Sequence, residues 1–220
     1  MALKNDYTLI LADTRGHGKS DKPHDVESYD MKFKSDDVVA ILDDLGIDKA
    51  HYIGYSLGGT TGYGVAKHAP ERFNCILIGG MHPYGSAGTN ASVDERIEGL
   101  KKGMESVVAS MEAASGRQLP PERRAAMLDN DPKALIASSI ELRDFEGIED
   151  ILSSMTMPCL LFVGEEHFLY EGVTRCVKGM PNATMVSFPG RDHGQAFQRS
   201  GLTLPHISSF LRNVESSVPR

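Results

Sequence analysis

The chain has 220 residues, 40% of them hydrophobic and 24% charged, and a net charge of −7. This composition excludes disordered and fibrous classes and fits one full domain with an insertion. The acidic balance, spread along the chain, argues against nucleic acid or an anionic membrane as the partner. No apolar run reaches membrane-spanning length, and the charged residues 1–6 lack the apolar core of a secretory signal. Cys75, Cys159 and Cys176 fit no metal spacing and no disulfide framework, so a reducing cytoplasm and no cofactor are expected.

In chain order, residues 7–12 (YTLILA) form a near-continuous apolar run, the pattern of a strand covered on both faces. It ends in a glycine-punctuated turn, Asp13-Thr14-Arg15-Gly16-His17-Gly18-Lys19-Ser20-Asp21. Val38, Ile41, Leu42 and Leu45 then sit at helical spacing, closed by Gly46. A strand at 50–53 leads into Gly54-Tyr55-Ser56-Leu57-Gly58-Gly59, and a helix at 60–68 is stopped by Pro70. Such a G-x-S-x-G run is a sharp, strained strand-to-helix turn that exposes one serine hydroxyl, with Gly54 and Gly58 supplying the room. The N–H of Leu57 would point into the space in front of Ser56. Residues 73–78 read as another buried strand, breaking at Gly79-Gly80.

From 83 to 150 the pattern predicts helices and no strand. Ser92 with Glu95 forms a capping box, and Ile97, Leu100, Met104, Val107, Val108 and Met111 make one apolar helical face. Pro120-Pro121 opens a second helix, and Asp131-Pro132 reads as N-cap and N1 of a third. The methionines here suit either core packing or a plastic ligand surface. Alternation then resumes with a strand at 158–164, a helix near 173–180, a strand at 184–188, the loop Pro189-Gly190-Arg191-Asp192-His193-Gly194, and a closing helix bearing Ile207, Phe210, Leu211 and Val214. Strands alternating with helices predict a parallel α/β sheet.

With these pieces ordered, the chain resembles the α/β-hydrolase family, esterase-like and with a helical cap. The resemblance rests on Asp13-x-Arg15-Gly16-x-Gly18-x-Ser20, on Gly54-x-Ser56-x-Gly58-Gly59, on the strand at 158–164 and on Asp192-His193-Gly194. It implies an α/β fold with a mostly parallel sheet flanked by helices. The core would comprise residues 1–82 and 151–220, and an all-helical cap residues 83–150. It also implies a serine mechanism on a small-molecule ester. Ser56 would attack the carbonyl, His193 would take its proton and later protonate the leaving group, and the Leu57 N–H would be one oxyanion donor. Tyr55 and His82 join Leu57 as oxyanion or substrate-binding candidates, and His17 reads as structural.

Two departures from the family pattern qualify this. Where the family has G-x-x-D after its seventh strand, this chain has Gly164-Glu165-Glu166-His167. Histidine cannot be the anionic partner of an imidazolium, so Glu166 is the expected acid, with Glu165 as second candidate and Asp192 poorly placed. The second departure is at the start. The family has three strands before the one at 7–12, the third lying between that strand and the elbow strand, and its loop gives the second oxyanion donor. Leaving facing strands unpaired costs roughly 1–3 kcal/mol for each buried group. Either the strand at 7–12 pairs directly with the elbow strand, or a second copy of the chain completes the sheet, or the chain is part of a longer protein. A slow or inactive, ligand-binding relative of the hydrolases is therefore the competing function. A third idea joins His82, His167 and His193 with Glu166 as ligands of a divalent metal, although their spacing is no recognised motif.

Overall fold

The computed structural model describes residues 2–85 and 90–217. The chain divides into two compact units, one made of residues 1–10, 34–84 and 147–220, the other of residues 11–33 and 85–146. Its α-helices are α1 (Met31–Asp44), α2 (Leu57–His68), α3 (Asn90–Lys101), α4 (Met104–Ser115), α5 (Pro121–Leu128), α6 (Pro132–Asp144), α7 (Tyr170–Lys178), α8 (His193–Gln198) and α9 (Ser200–Ser217). Among the described residues, no helix is long and apolar enough to cross a membrane.

The first unit holds a parallel sheet of four strands, β1 (Ala50–Tyr55), β2 (Phe73–Gly79), β3 (Cys159–Gly164) and β4 (Ala183–Phe188), lying side by side in chain order. The parallel α/β class expected from the alternation is the observed one. Strand β2 is apolar at nearly every position because both its faces are covered. Cys75 and Leu77 pack with Leu160, Phe162, Ile207, Leu211 and Val214 on the α9 side. On the other face, Ile78 meets the glycines Gly59 and Gly62 of α2. All three cysteines are buried and free, which suits small apolar fillers. Register pairs Tyr55 with Gly79, Gly79 with Phe162, and Gly164 with Phe188, so the carboxyl ends of β1 and β2 finish level and those of β3 and β4 finish level with each other two residues further on. The loops that follow them converge at one end of the sheet, where sites on open α/β sheets form.

The strand expected at 7–12 is not formed. These residues have no regular structure, and Leu9, Ile10 and Leu11 are 36%, 38% and 77% exposed. The local pattern suits a buried strand, but a strand needs a ladder partner. Tyr7 is held edge-on against His51, and the chain then crosses from the first unit to the second between Ile10 and Leu11. It does not pair with β1, so that route to closing the sheet is excluded. Strand β1 is an edge whose second side has no partner strand among the described residues, and Ile53 is 43% exposed there.

In the second unit, Tyr29 is fully buried against Ala134 and Ala137 of α6, its hydroxyl donating to Pro23 O at 2.8 Å. Asp13 ties its own turn together, accepting from Lys19 N at 2.9 Å. Helix α3 begins at Asn90, so Ser92 of the expected capping box lies within its first turn instead of at the N-cap. The apolar face from Ile97 to Met111 is split between α3 and α4 by Gly103, whose φ of 95° no continuous helix accommodates. Met104, Met111, Met127 and Leu135, with His17 and Arg96, line a cavity of about 560 Å³ within this unit.

Asp131 caps α6 as expected. Its side chain accepts from Lys133 N at 2.8 Å and Ala134 N at 3.3 Å, and its other oxygen meets His24 Nε2 at 2.8 Å. Asp131→Ala is expected to cost about 1 kcal/mol, seen as a fall of about 2–4 °C in Tm, whereas Asp131→Asn, which can still cap, moves it less. Equal shifts for the two variants in thermal denaturation would refute the capping role.

Candidate active site

At the end of β1 the backbone turns sharply at Ser56, with φ 55° and ψ −114°. It is the one non-glycine residue with positive φ among those described. Such a conformation costs about 1–3 kcal/mol and persists only where the surroundings enforce it. Here Ser56 N donates to Gly79 O of β2 at 2.9 Å, and Ser56 O accepts from Thr60 N in the first turn of α2 at 3.0 Å. Tyr52 Oη donates to Gly58 O at 2.7 Å, pulling the same turn down on β1. A side chain at Gly54 would collide with the Gly58 carbonyl, so that glycine is required. Gly58 is not required for space: a Cβ there would have nothing nearer than Tyr52 Oη at 4.0 Å. Leu57 begins α2, so its N–H belongs to the helix end whose donors lack intrahelical acceptors.

His193 opens α8, and its neighbour Asp192 is that helix's N-cap, accepting from Gln195 N at 2.7 Å. The Asp192 carboxylate is therefore spent on backbone. Tyr55, a substrate- or oxyanion-binding candidate from the sequence, is engaged with His193. Its hydroxyl donates to His193 O at 2.6 Å, and its ring lies 5.0 Å from the His193 ring and 4.9 Å from Phe197. Burial pushes the Tyr55 phenol up to about 12. It serves as a floor under His193. No hydrogen bond joins Ser56 Oγ to His193 among the described residues.

The acid position departs from expectation. After β3 the chain bends so that Glu165 N donates to Phe188 O, Glu166 N to Arg191 O, and His167 N to Gly164 O. This turn sends Glu165 and Glu166 outward into solvent and His167 inward, where it is 4% exposed. Glu165 accepts from Ser187 Oγ at 2.7 Å. Glu166 does not meet His193: the ring nitrogen Nδ1 of His193 is in hydrogen-bond contact with His167 Nε2. The signal was available, since His167 stands at the aspartate position of G-x-x-D; preferring a carboxylate shifted the reading by one residue.

His82 follows Gly80, itself at φ 59°, and its Nδ1 accepts from Tyr84 N at 3.3 Å. The ring lies so close to Gly172 of α7 that a side chain there would strike it. One nitrogen is thus committed and the ring is packed in place. His82, His167 and His193 are all shifted below the ordinary imidazole range, chiefly by burial, and His167 reaches about 4 with His193 as the next cause. The metal idea fails: among the described residues no group of three or more His, Cys, Asp or Glu is placed to hold an ion.

The chain matches the family model described as alpha/beta hydrolase fold over residues 2–124. It is 44% identical over 75 residues to 3-oxoadipate enol-lactonase 2 of Acinetobacter baylyi, covering 34% of this chain and 27% of that one, so this match spans little more than a quarter of that protein. It is 25% identical over 213 residues to the AB hydrolase superfamily protein YisY of Bacillus subtilis, covering 89% and 78% of the two chains. In structure it is similar to a hydrolase from Oleispira antarctica, with a TM-score of 0.80, 19% identity, and 96% and 84% of the two chains covered. With the elbow at Ser56, the parallel sheet and a model match over more than half its length, the chain belongs to the α/β-hydrolase fold family.

Proposed function

We propose that the chain is a serine hydrolase that cleaves a small carboxylic ester or lactone through an acyl-enzyme on Ser56. The observation that carries this reading is the strained Ser56 at the tip of β1, held at φ 55° by bonds from β2 and α2. Strained non-glycine backbone of this kind clusters at active sites. In the forward step Ser56 Oγ bonds to the carbonyl carbon and its proton passes to His193. The Leu57 N–H faces the developing oxyanion, and the alkoxide leaves with the proton from His193. Water then repeats the sequence on the acyl-enzyme. The similarity to an enol-lactonase supports an ester-type carbonyl, open or cyclic.

A slower variant of the same reading is favoured by one observation, the imidazole in place of a carboxylate at His193 Nδ1. Hydrolysis of p-nitrophenyl butyrate is therefore expected to be slow but dependent on Ser56, with Ser56→Ala reducing the rate at least about tenfold toward the solvent background. Equal rates in the two proteins would overturn the proposal.

A further inference from the structure

A neutral imidazole carries one proton on two nitrogens, so what one nitrogen accepts decides what the other donates. The backbone N–H of Leu169 donates to His167 Nδ1 at 2.8 Å in a buried setting. An amide N–H cannot accept, so His167 Nδ1 must be bare and its proton must sit on Nε2. That Nε2–H points at His193 Nδ1. His193 Nδ1 is thus the acceptor, and the single proton of neutral His193 lies on its own Nε2. A base that takes the Ser56 proton needs the opposite arrangement, with Nδ1 protonated and Nε2 bare.

We infer that His167 is a positioning residue that locks His193 in the Nε2–H tautomer, and so holds the serine hydrolase proposed above in a slow state. For His193 to become a base, its proton must move to Nδ1 and donate to His167 Nε2. The proton of His167 must then sit on Nδ1, facing the Leu169 N–H, donor against donor in a buried contact. Protonating His193 instead sets two N–H groups against each other across the pair, and protonating His167 puts its second proton on Nδ1, against the Leu169 N–H. The remaining groups around the pair do not relieve this. Asp192, from its post at the α8 cap, favours charge on both rings, His82 disfavours it on His167, and Glu165 and Glu166 are turned to solvent. In serine triads the wrong histidine tautomer costs about 10⁴ in kcat.

The inference rests on the Ser56–His193 reading for its kinetic consequence but not for the tautomer itself. The test is nitrogen NMR of the imidazoles in the full chain at pH 7.5, paired with p-nitrophenyl butyrate kinetics. In wild type, His193 is expected to show a bare Nδ1 and a protonated Nε2. His167→Asp can still accept the Leu169 N–H as an Asx turn, and His167→Glu reaches further toward His193. At least one is expected to reverse the His193 tautomer and raise kcat/KM about 10²-fold or more. The gain is expected to vanish in the Ser56→Ala background. A wild-type His193 protonated at Nδ1 overturns the inference whatever the activity. A variant that reverses the tautomer without any gain in Ser56-dependent rate overturns the claim that the lock limits turnover. A wild-type Nε2–H tautomer with no Ser56-dependent rate in any protein upholds the lock and sinks the hydrolase reading instead.

Discussion

Gly54→Ala is expected to lower the melting temperature by about 4–16 °C, while Gly58→Ala, four residues along the same motif, leaves it unchanged or slightly raised. At Gly54 the new methyl would meet the carbonyl of Gly58 head-on and would come within 2.8 Å of Tyr52 Cε1. Neither neighbour can yield alone. The carbonyl belongs to the first turn of α2 and already accepts from Tyr52 Oη at 2.7 Å, so clearing the clash moves the helix and breaks that bond. Overpacking costs about 1–3 kcal/mol and the lost hydrogen bond about 1 more. At about 2–4 °C for each kcal/mol in a chain of this size, the fall follows. At Gly58 nothing lies nearer than 4.0 Å, and alanine is the better helix former by about 1 kcal/mol. Thermal unfolding followed by circular dichroism decides the matter. A Gly58→Ala protein that melts as early as Gly54→Ala would show that the two glycines act through something other than crowding of the elbow.

The motif itself treats these two glycines alike, which shows where pattern reading stops. Strands β2 and β3 were legible because their apolar runs are buried on both faces, and the elbow because sequence spacing maps directly onto a local turn. Residues 7–12 carry the same kind of run, yet no neighbouring strand supplies a ladder, and partner availability is not written in a local pattern. The split of α3 from α4 hinged on Gly103 adopting φ 95°, a choice glycine permits but does not announce. At the acid position the difficulty was phase. Chemistry pointed to Glu166, but the turn closed by His167 N on Gly164 O rotates the chain so that the next residue faces inward. Which of three consecutive side chains meets His193 is a property of that turn and of the strand it leaves.

Mild acid is expected to destabilise the protein through His167, and the sign follows from its displaced titration. Its folded pKa is lowered to about 4 from an ordinary value near 6.5, first by burial and then by the facing His193. Between those values the unfolded chain binds the proton and the native one resists it, so stability is fully present above about pH 6.5. It is lost as pH falls toward 4. Lowering the pH from 7.5 to 4.5 is expected to remove about 2 kcal/mol through this group, or about 4–8 °C in Tm. His82 and His193, also shifted down by burial, add to the loss with the same sign. Carboxylates held low by their partners, Asp131 by His24 and Asp144 by Arg143, act below this window, because they remain charged until the pH drops beneath the ordinary carboxylate range. His167→Asn keeps an acceptor for the Leu169 N–H but has nothing to titrate, so its fall in Tm over the same interval should be less than half that of wild type. Parallel curves for the two proteins would place the acid sensitivity elsewhere in the fold. A flattened curve ties it to the buried imidazole that faces His193.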